Sequence, residues 1–350
     1  MNARKWMEPY KPMDERLTLE KIGELAGVSR ATVSRVVNSQ PNVRPEVRER
    51  VLAVIAETGY QPHLAARSLA SNRTGLIGLV IPRILQSLFT DPYYPRLLQG
   101  VTQVCNEHAV ILTLFMFHSE DEETRLYPRV LRPGTLDGVV VVSSQEEDPL
   151  IARLAESGLP FIVIGRPTDA TAVSYVDVDN VTGAETAVSH LINLGRQRIA
   201  TITGRQDMSA GLDRLEGYRR ALLASGRAID EALIAAGEFE EGQAYEAMLR
   251  LLPQQPDAVF VASDAMALGA LNALHSAGLE VPGDVAVVGY DDLPAAAIAS
   301  PPLTTVRQPI RRFGALAVET LLNIIETGSE PPRHILLPTE LIIRETCGGS

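Results

Sequence analysis

The sequence predicts a multidomain chain, an N-terminal all-α head followed by an α/β core of two doubly wound parallel-sheet lobes. Three observations carry this. Between residues 18 and 60, apolar residues recur at helical spacing around a turn-like "AGVS". From residue 75 onward, nearly unbroken apolar runs alternate with helical stretches, as strands buried on both faces of a parallel sheet require. About ten such runs exceed one sheet of ordinary size. Two lobes are therefore expected, with a ligand between them beyond the carboxyl ends of the strands.

Residues 1–16 mix proline, methionine and charge without periodicity and read as a flexible tail. Thr18 is placed to cap a first helix, with Glu20 in its first turn. Leu19, Ile22, Leu25 and Ala26 give that helix one apolar face. Gly27 supplies the permissive backbone of the turn. Ser29 caps a second helix, from which Val33, Val36 and Val37 face inward. A third starts at Pro45, a residue favoured at the first helical position. It carries Val47, Val51, Val54 and Ile55 and ends near Gly59. After "YQPHLAARSLASNRTG" the texture changes. The strand-like runs are "GLIGLVIP" (75–82), "VILTLFMF" (110–117), "GVVVVSS" (138–144), "PFIVIG" (160–165), "RIATITG" (198–204), "DAVFVAS" (257–263) and "DVAVVGYDD" (284–292). Helical stretches such as "AETAVSHLINL" (184–194) lie between them, an alternation that argues for doubly wound α/β lobes.

Composition narrows the function. The 350 residues allow about two or three domains. Two distant cysteines, Cys105 and Cys347, make neither a disulfide framework nor a zinc site, and point to a reducing cytosol. The start, "MNARKWMEPYKPMDERLT", has no apolar segment of a secretory signal. No apolar run approaches the roughly 18–20 residues of a membrane span, so a cytoplasmic protein without a membrane partner is expected. The net charge of -11 is unevenly spread. Residues 1–73 hold 12 basic and 8 acidic residues, a formal +4, and the remainder holds 20 and 35, a formal −15. A basic head on an acidic body suits a head that meets nucleic acid. With a Debye length of about 8 Å at physiological salt, a more distant body repels DNA only weakly.

The stretch "VSRATVSRVVN" (28–38) is rich in Ser, Thr and Arg and follows the glycine turn. The pattern reads as a helix-turn-helix; a small three-helix bundle with a solvated polar face fits it too. The body has no GxxxxGK, HExxH, GxSxG or GxGxxG pattern, and its histidines are scattered. "DVD" at 177–179 has the composition of a metal site but reads better as a strand entering a helix. Nothing assembles a nucleophile, a base and an orienting group. No enzyme, cofactor or metal is expected.

The segment "LTLEKIGELAGVSRATVSRVVNSQPNVRPEVRERVLAVIAETGYQPHLAARSLASNRTGLIGLVIP" closely resembles the N-terminus of LacI-family transcriptional repressors. The resemblance continues through "VDVDNVTGAETAVSHLINLG", "DRLEGYRRAL", "ASDAMALGAL", "VPGDVAVVGYDD" and "PPLTTVRQP", covering Leu17 to about Glu345. It implies a helix-turn-helix DNA-binding domain over 17–61 and a hinge helix and linker over 62–73. The core, 74–346, is then similar to type I periplasmic binding proteins. Its N-lobe would span about 74–177 plus 308–335, and its C-lobe about 178–307 plus 336–346. The resemblance puts Arg30, Ala31 and Arg35 nearest the bases, with Thr32, Ser34 and Asn38 mostly on phosphates. Arginine grips guanine through two bonds, whereas alanine offers only a methyl; phosphate contacts fix the register. Thr18, Ser29 and His63 belong to the same implied DNA surface. Arg44 stands where the family commonly has a small polar helix cap, so a capping bond is lost and Arg44 is free to reach a phosphate. "PHLAARSLA" (62–70) matches the hinge helix, and Leu69 falls at the position that wedges into the minor groove. So short a helix does not persist alone, which makes it a natural switching element.

The resemblance also implies an effector site. Arg214, Ser263 and Asp291 match positions that hydrogen-bond the ligand, and Arg–carboxylate pairs suit vicinal hydroxyls. Phe239 matches an aromatic wall; Tyr93 and Tyr94 line the opposite lobe; Gln308 is a weaker candidate. Two departures stand out: Ser263 replaces an asparagine found in some sugar-binding members, and Gly165 followed by Arg166 replaces an acidic ligand residue. Arg166 therefore enters as a candidate of altered chemistry, and the sugar's identity does not transfer. Asp264 is expected to cap the helix "AMALGAL", and Asp292 to be structural. The expectation is a homodimeric repressor on a pseudo-palindromic operator, controlled by a small carbohydrate. No heptad-bearing helix follows "LIIRETCGGS", so no tetramer is expected. A sugar-binding transport protein and an enzyme of carbohydrate metabolism are the alternatives.

Overall fold

The computed structural model describes residues 17–37, 40–60, 73–81, 91–117, 120–130, 132, 134–142, 149–167, 171–328 and 331–349. The tail, Asn38 and the hinge segment with His63 and Leu69 lie outside the described residues. The chain divides into two compact units, Met1–Thr74 and Gly75–Ser350.

In the first unit, α1 (Leu19–Ala26), α2 (Arg30–Val37) and α3 (Pro45–Thr58) close on Ile22, Ala26, Val33, Val36 and Val51. Thr18 caps α1, its hydroxyl accepting from Lys21 N at 3.3 Å. Gly27 ends that helix at φ 64° and ψ 38°, a left-handed backbone that a β-carbon disfavours. Val28 N then donates back to Gly23 O at 2.8 Å. Ser29 Oγ accepts from Thr32 N at 3.2 Å and starts α2. Pro45 opens α3, and Arg44 before it makes no side-chain capping bond. One expectation fails: Leu25 is 52 % exposed. At 3.6 residues per turn it falls about 60° beyond Ile22 and leaves the stripe of Leu19, Ile22 and Ala26.

The second unit holds two six-stranded sheets. The first comprises β1 (Leu76–Ile81), β2 (Ile111–Met116), β3 (Gly138–Val142), β4 (Phe161–Ile164), β5 (Tyr175–Val178) and β11 (His334–Leu337). All are parallel, in the order β11-β5-β4-β3-β1-β2. The second comprises β6 (Ile199–Thr203), β7 (Ile234–Ala236), β8 (Ala258–Val261), β9 (Ala286–Asp291), β10 (Thr304–Arg307) and β12 (Glu340–Ile342). Its order is β12-β10-β9-β8-β6-β7, with β12 alone antiparallel to its neighbour. Each apolar run quoted from the sequence forms a strand. β3, β6 and β9 are buried along their whole length, so no polar alternation marks them.

The helices are α4 (Tyr93–Glu107), α5 (Glu120–Val130), α6 (Pro149–Ser157), α7 (Asn180–Asn193), α8 (Ser209–Ala224), α9 (Glu241–Leu251), α10 (Asp264–Ser276), α11 (Pro294–Ile298) and α12 (Ile310–Thr327). The chain passes between the sheets after β5, after β10 and after β11. α12 packs on the first sheet, with Phe313, Ala317 and Leu321 among Ile77, Val140 and Ile162. It also meets α4 backbone to backbone. A β-carbon on Gly100 would stand 1.9 Å from Arg311 O, and one on Gly314 would stand 2.4 Å from Leu97 O. Arg96 of α4 reaches the second lobe, its Nη1 donating to Asp292 O at 3.2 Å. Among the described residues, no helix is long and apolar enough to cross a membrane.

Candidate functional site

A cavity of about 950 Å³, partly open to solvent, lies between the lobes of the second unit. Strand ends supply much of its wall: Val142, Ile164, Gly165, Asp177 and Val178 from the first sheet, and Arg205, Ser263, Asp291 and Gln308 from the second. The first turn of α4 adds Tyr93 and Tyr94, whose rings meet edge to face with centroids 5.5 Å apart. Carboxyl ends of parallel strands are where open α/β sheets leave room for ligands.

Arg214 of α8 is the centre of the polar wall and is buried. Its Nε donates to Asn180 Oδ1 at 2.9 Å, and its Nη1 donates to Ala262 O at 2.5 Å. The same Nη1 lies 3.6 Å from Asp291 Oδ1. The guanidinium carbon sits 3.8 Å from the Tyr290 ring centroid and 5.7 Å from that of Phe239. Asp291 ends β9 at φ 121°, and its Oδ1 accepts from Gln308 Nε2 at 2.5 Å. Burial pushes the Asp291 carboxyl up to about 7, against the pull of Arg214. Asp177 is pushed up to about 6, again by burial first. Burial also raises Asp91, opposed by the bond its Oδ1 accepts from Tyr93 N at 2.9 Å. Phe239 follows Glu238 through two left-handed residues, φ 57° and 59°. This backbone lays the ring on Gly204, where a β-carbon would stand 2.0 Å from Cζ.

Seven residues expected at the effector site line this cavity: Tyr93, Tyr94, Arg214, Phe239, Ser263, Asp291 and Gln308. Arg166 does not. Gly165, at φ 94°, turns the chain so that it lines the wall itself, and Arg166 Nη2 pairs with Asp213 at 2.5 Å. A second correction concerns the start of α10. Ser263, not Asp264, is the cap, its Oγ accepting from Met266 N at 3.2 Å. Asp264 is fully buried and accepts from Leu293 N at 2.7 Å and Thr305 Oγ1 at 2.5 Å. Asp292 is held by Arg344 at 2.5 Å and Arg307 at 2.7 Å, which lower its pKa against the effect of burial. Sequence reasoning missed Asp91, Asp177, Asn180, Arg205, Met208, Glu238 and Glu240, all in the wall. The strand-end rule alone finds Arg205 and Asp177. Asp179, beside Asp177, caps α7 by accepting from Thr182 N at 3.0 Å. No cluster able to hold a metal occurs among the described residues.

In the head, α2 buries Val33 and Val36 and exposes Arg30, Ala31 and Arg35 on its other side. Thr32 and Ser34 are half-buried, while Thr18, Ser29 and Arg44 are exposed. The Ser29 and Thr32 hydroxyls are 3.0 Å apart. Arg30 Nε is 3.0 Å from Glu20 Oε1 of α1.

A helix-turn-helix head and a ligand-sized cavity between two parallel-sheet lobes define a class: regulators that bind DNA and sense a small molecule. Comparisons agree. Residues 18–63 match the bacterial regulatory proteins of the lacI family, and residues 188–347 match the periplasmic binding protein-like domain. The HTH-type transcriptional regulator CelR of Thermobifida fusca is 43 % identical over 335 residues, covering 95 % of this chain and 98 % of CelR. The ribose operon repressor of Escherichia coli K12 is 35 % identical over 333 residues, covering 93 % and 98 %. A solved CelR–cellobiose complex matches with a TM-score of 0.76 at 41 % identity, over 95 % of this chain and 100 % of that one. The lac repressor dimer bound to operator and the anti-inducer ONPF matches with a TM-score of 0.82 at 27 % identity, over 95 % and 99 %. The chain belongs to the lacI family of bacterial regulatory proteins. It is a DNA-binding transcriptional regulator and not an enzyme.

Proposed function

We propose that this chain is a homodimeric, cytoplasmic repressor of a pseudo-palindromic operator, controlled by an uncharged oligosaccharide of about two rings. The observation that carries the effector reading is the donor set of the cavity. Arg214, Asn180, Asp291 and Gln308 form one buried hydrogen-bonding wall, and Phe239, Tyr93 and Tyr94 supply ring faces for sugar C–H groups. Arginine and carboxylate both make paired bonds to adjacent hydroxyls. Asp91, Asp177, Asp291, Glu238 and Glu240 outnumber Arg205 and Arg214 in the lining, so a phosphorylated or acidic sugar meets like charge. The cellobiose in the CelR complex supports a disaccharide-sized ligand.

On the DNA side, Arg30 and Arg35 read bases, Ala31 offers a methyl, and Thr18, Ser29, Thr32, Ser34 and Arg44 face phosphates. Asn38, His63 and Leu69 join them by resemblance. Control follows from linkage: the sugar shifts DNA affinity only as far as it binds the two lobe arrangements differently.

The test pairs two measurements on the full chain. A thermal-shift panel of neutral mono- and disaccharides and sugar phosphates should single out a neutral disaccharide, since a ligand at about 100 times its Kd adds roughly 2.7 kcal/mol. The same sugar should change a gel shift with DNA from upstream of the gene. A shift produced by sugar phosphates alone, or a bound sugar without effect on DNA affinity, overturns the reading.

A further inference from the structure

Arg30 begins α2 with an exposed side chain, yet that side chain is anchored. Its Nε pairs at 3.0 Å with Oε1 of Glu20, which belongs to the first turn of α1. The pair therefore ties together the starts of both helices of the motif. Glu20 is itself held: backbone hydrogen bonding at the helix start, then the Thr18 side chain, then Arg30 all keep its carboxyl below the usual range. It stays ionised at neutral pH. A guanidinium is a planar fork of five donors. A carboxylate on Nε takes the side edge of the fork and leaves the Nη1–Nη2 end. That end matches O6 and N7 of one guanine.

We propose that Glu20 is a positioning residue for DNA readout, its carboxylate fixing the plane of the Arg30 guanidinium so that the free end of the fork meets one base edge. The proposal rests on Arg30 being a base reader. Glu20 also places a negative charge beside the DNA surface, so it trades some general affinity for selectivity. An exposed ion pair changes an equilibrium by about 1.5- to 5-fold, which sets the size of the effect.

The experiment uses the full chain and the duplex recovered by in vitro selection from a random pool. Dissociation constants are measured for that site, for each single base-pair replacement in a half-site and for unrelated duplex. The proteins are wild type, Glu20→Ala, Glu20→Gln, Arg30→Ala and the Glu20→Ala/Arg30→Ala double variant. Arg30→Ala should erase preference at one base pair. Glu20→Ala should lower discrimination at that same pair by about 1.5- to 5-fold, leave the other pairs alone and strengthen binding to unrelated duplex. In the Arg30→Ala background it should change no base preference. Glu20→Gln keeps the side-chain volume and carries the comparison if alanine lowers the melting temperature. A uniform loss across all positions, a sharper preference in Glu20→Ala, or an effect that persists without Arg30 overturns the proposal. If Arg30→Ala erases no preference, the base-reader reading falls and takes this one with it. If Arg30→Ala does erase one while Glu20→Ala is silent, positioning alone is refuted.

Discussion

Replacing Arg214 with alanine removes far more than a ligand contact. The guanidinium satisfies Asn180 Oδ1 and Ala262 O and neutralises Asp291 at 3.6 Å, all in a buried setting. Breaking a buried ion pair from one side costs about 3–5 kcal/mol, because the partner charge stays buried and uncompensated. At roughly 2–4 °C per kcal/mol for a domain near this size, melting should fall by roughly 6–20 °C. The cost must depend on pH. Asp291 titrates near 7 with Arg214 holding it down; without that cation the carboxyl moves higher. At pH 5.5 it is neutral in both proteins, and the loss is confined to the bonds to Asn180 and Ala262. At pH 8.5 the wild type keeps an ion pair, while the variant must bury a lone carboxylate or take up a proton. Circular dichroism melts of wild type, Arg214→Ala and Arg214→Met at both pH values test this, with methionine restoring part of the lost volume. A melting difference equal at the two pH values, or larger at pH 5.5, would refute the argument that Asp291 is the charge Arg214 compensates. Arg214→Ala is consequently a poor variant for isolating effector response.

Gly204→Ala places a β-carbon 2.0 Å from Phe239 Cζ, so the ring must leave the wall. Calorimetry should show sugar affinity reduced about tenfold, the order of one lost aromatic contact, with sugar-free DNA affinity unchanged; an unchanged sugar affinity removes Phe239 from the site. Tyr290 Oη is buried and has no hydrogen-bond partner among the described residues. Tyr290→Phe should therefore stabilise the chain by about 1 kcal/mol in denaturant titrations, and a loss of that size would reveal a bound water. Sugar hydroxyls donate to carboxylates and favour their ionised form. With Asp177 near 6 and Asp291 near 7, binding should release protons and tighten from pH 5.5 to 8. The sugar-free chain behaves oppositely: these folded pKa values lie above the unfolded value of about 3.9, so their stabilisation is full below that value and is lost as pH rises through 6 and 7. Titration calorimetry in buffers of different ionisation enthalpy separates the two, and affinity that weakens over this range contradicts the assignment.

Most strands that sequence reading found are buried on both faces by parallel pairing; β2, found by its apolar run, is a half-exposed edge strand. The ones it did not quote carry a different signature. β10 reads "TTVR", yet Thr304 and Thr305 are buried. Their hydroxyls donate to Cys347 Sγ at 3.2 Å and Asp264 Oδ1 at 2.5 Å, partners some 40 residues away in sequence. β11 and β12 are short edge strands with half-exposed residues, and their apolar runs, "ILL" and "LII", are only three residues long, too short to mark a strand without the neighbours they pair with. The site followed the same logic. Arg214 and Asp291 were legible because they stand in recognisable motifs. Asp91 was not, because this carboxylate joins the wall through burial that only the assembled lobes create. Ser263 and Asp264 are both good caps by chemistry. Which one caps was decided by Thr305 of β10 and Leu293 at the start of α11, which claim the Asp264 oxygens from afar in the sequence.

The polar wall and the crossovers between the lobes share residues. Asn180, bonded to Arg214, begins α7 two residues after β5 ends at Val178, at the first crossover. Gln308, bonded to Asp291, is the residue after β10, at the second. The third lies beside Thr339. A β-carbon on Gly183 would come within 2.8 Å of Thr339 Oγ1 and 2.6 Å of Tyr290 Oη, and the Tyr290 ring carries the Arg214 guanidinium. A molecule that exchanges hydrogen bonds with Arg214 and Asp291 therefore pulls on groups next to all three crossovers at once. No long relay is needed for it to favour one lobe angle over another. It needs only bonds to this pair that differ between the two angles, which is the differential affinity that control of DNA binding requires.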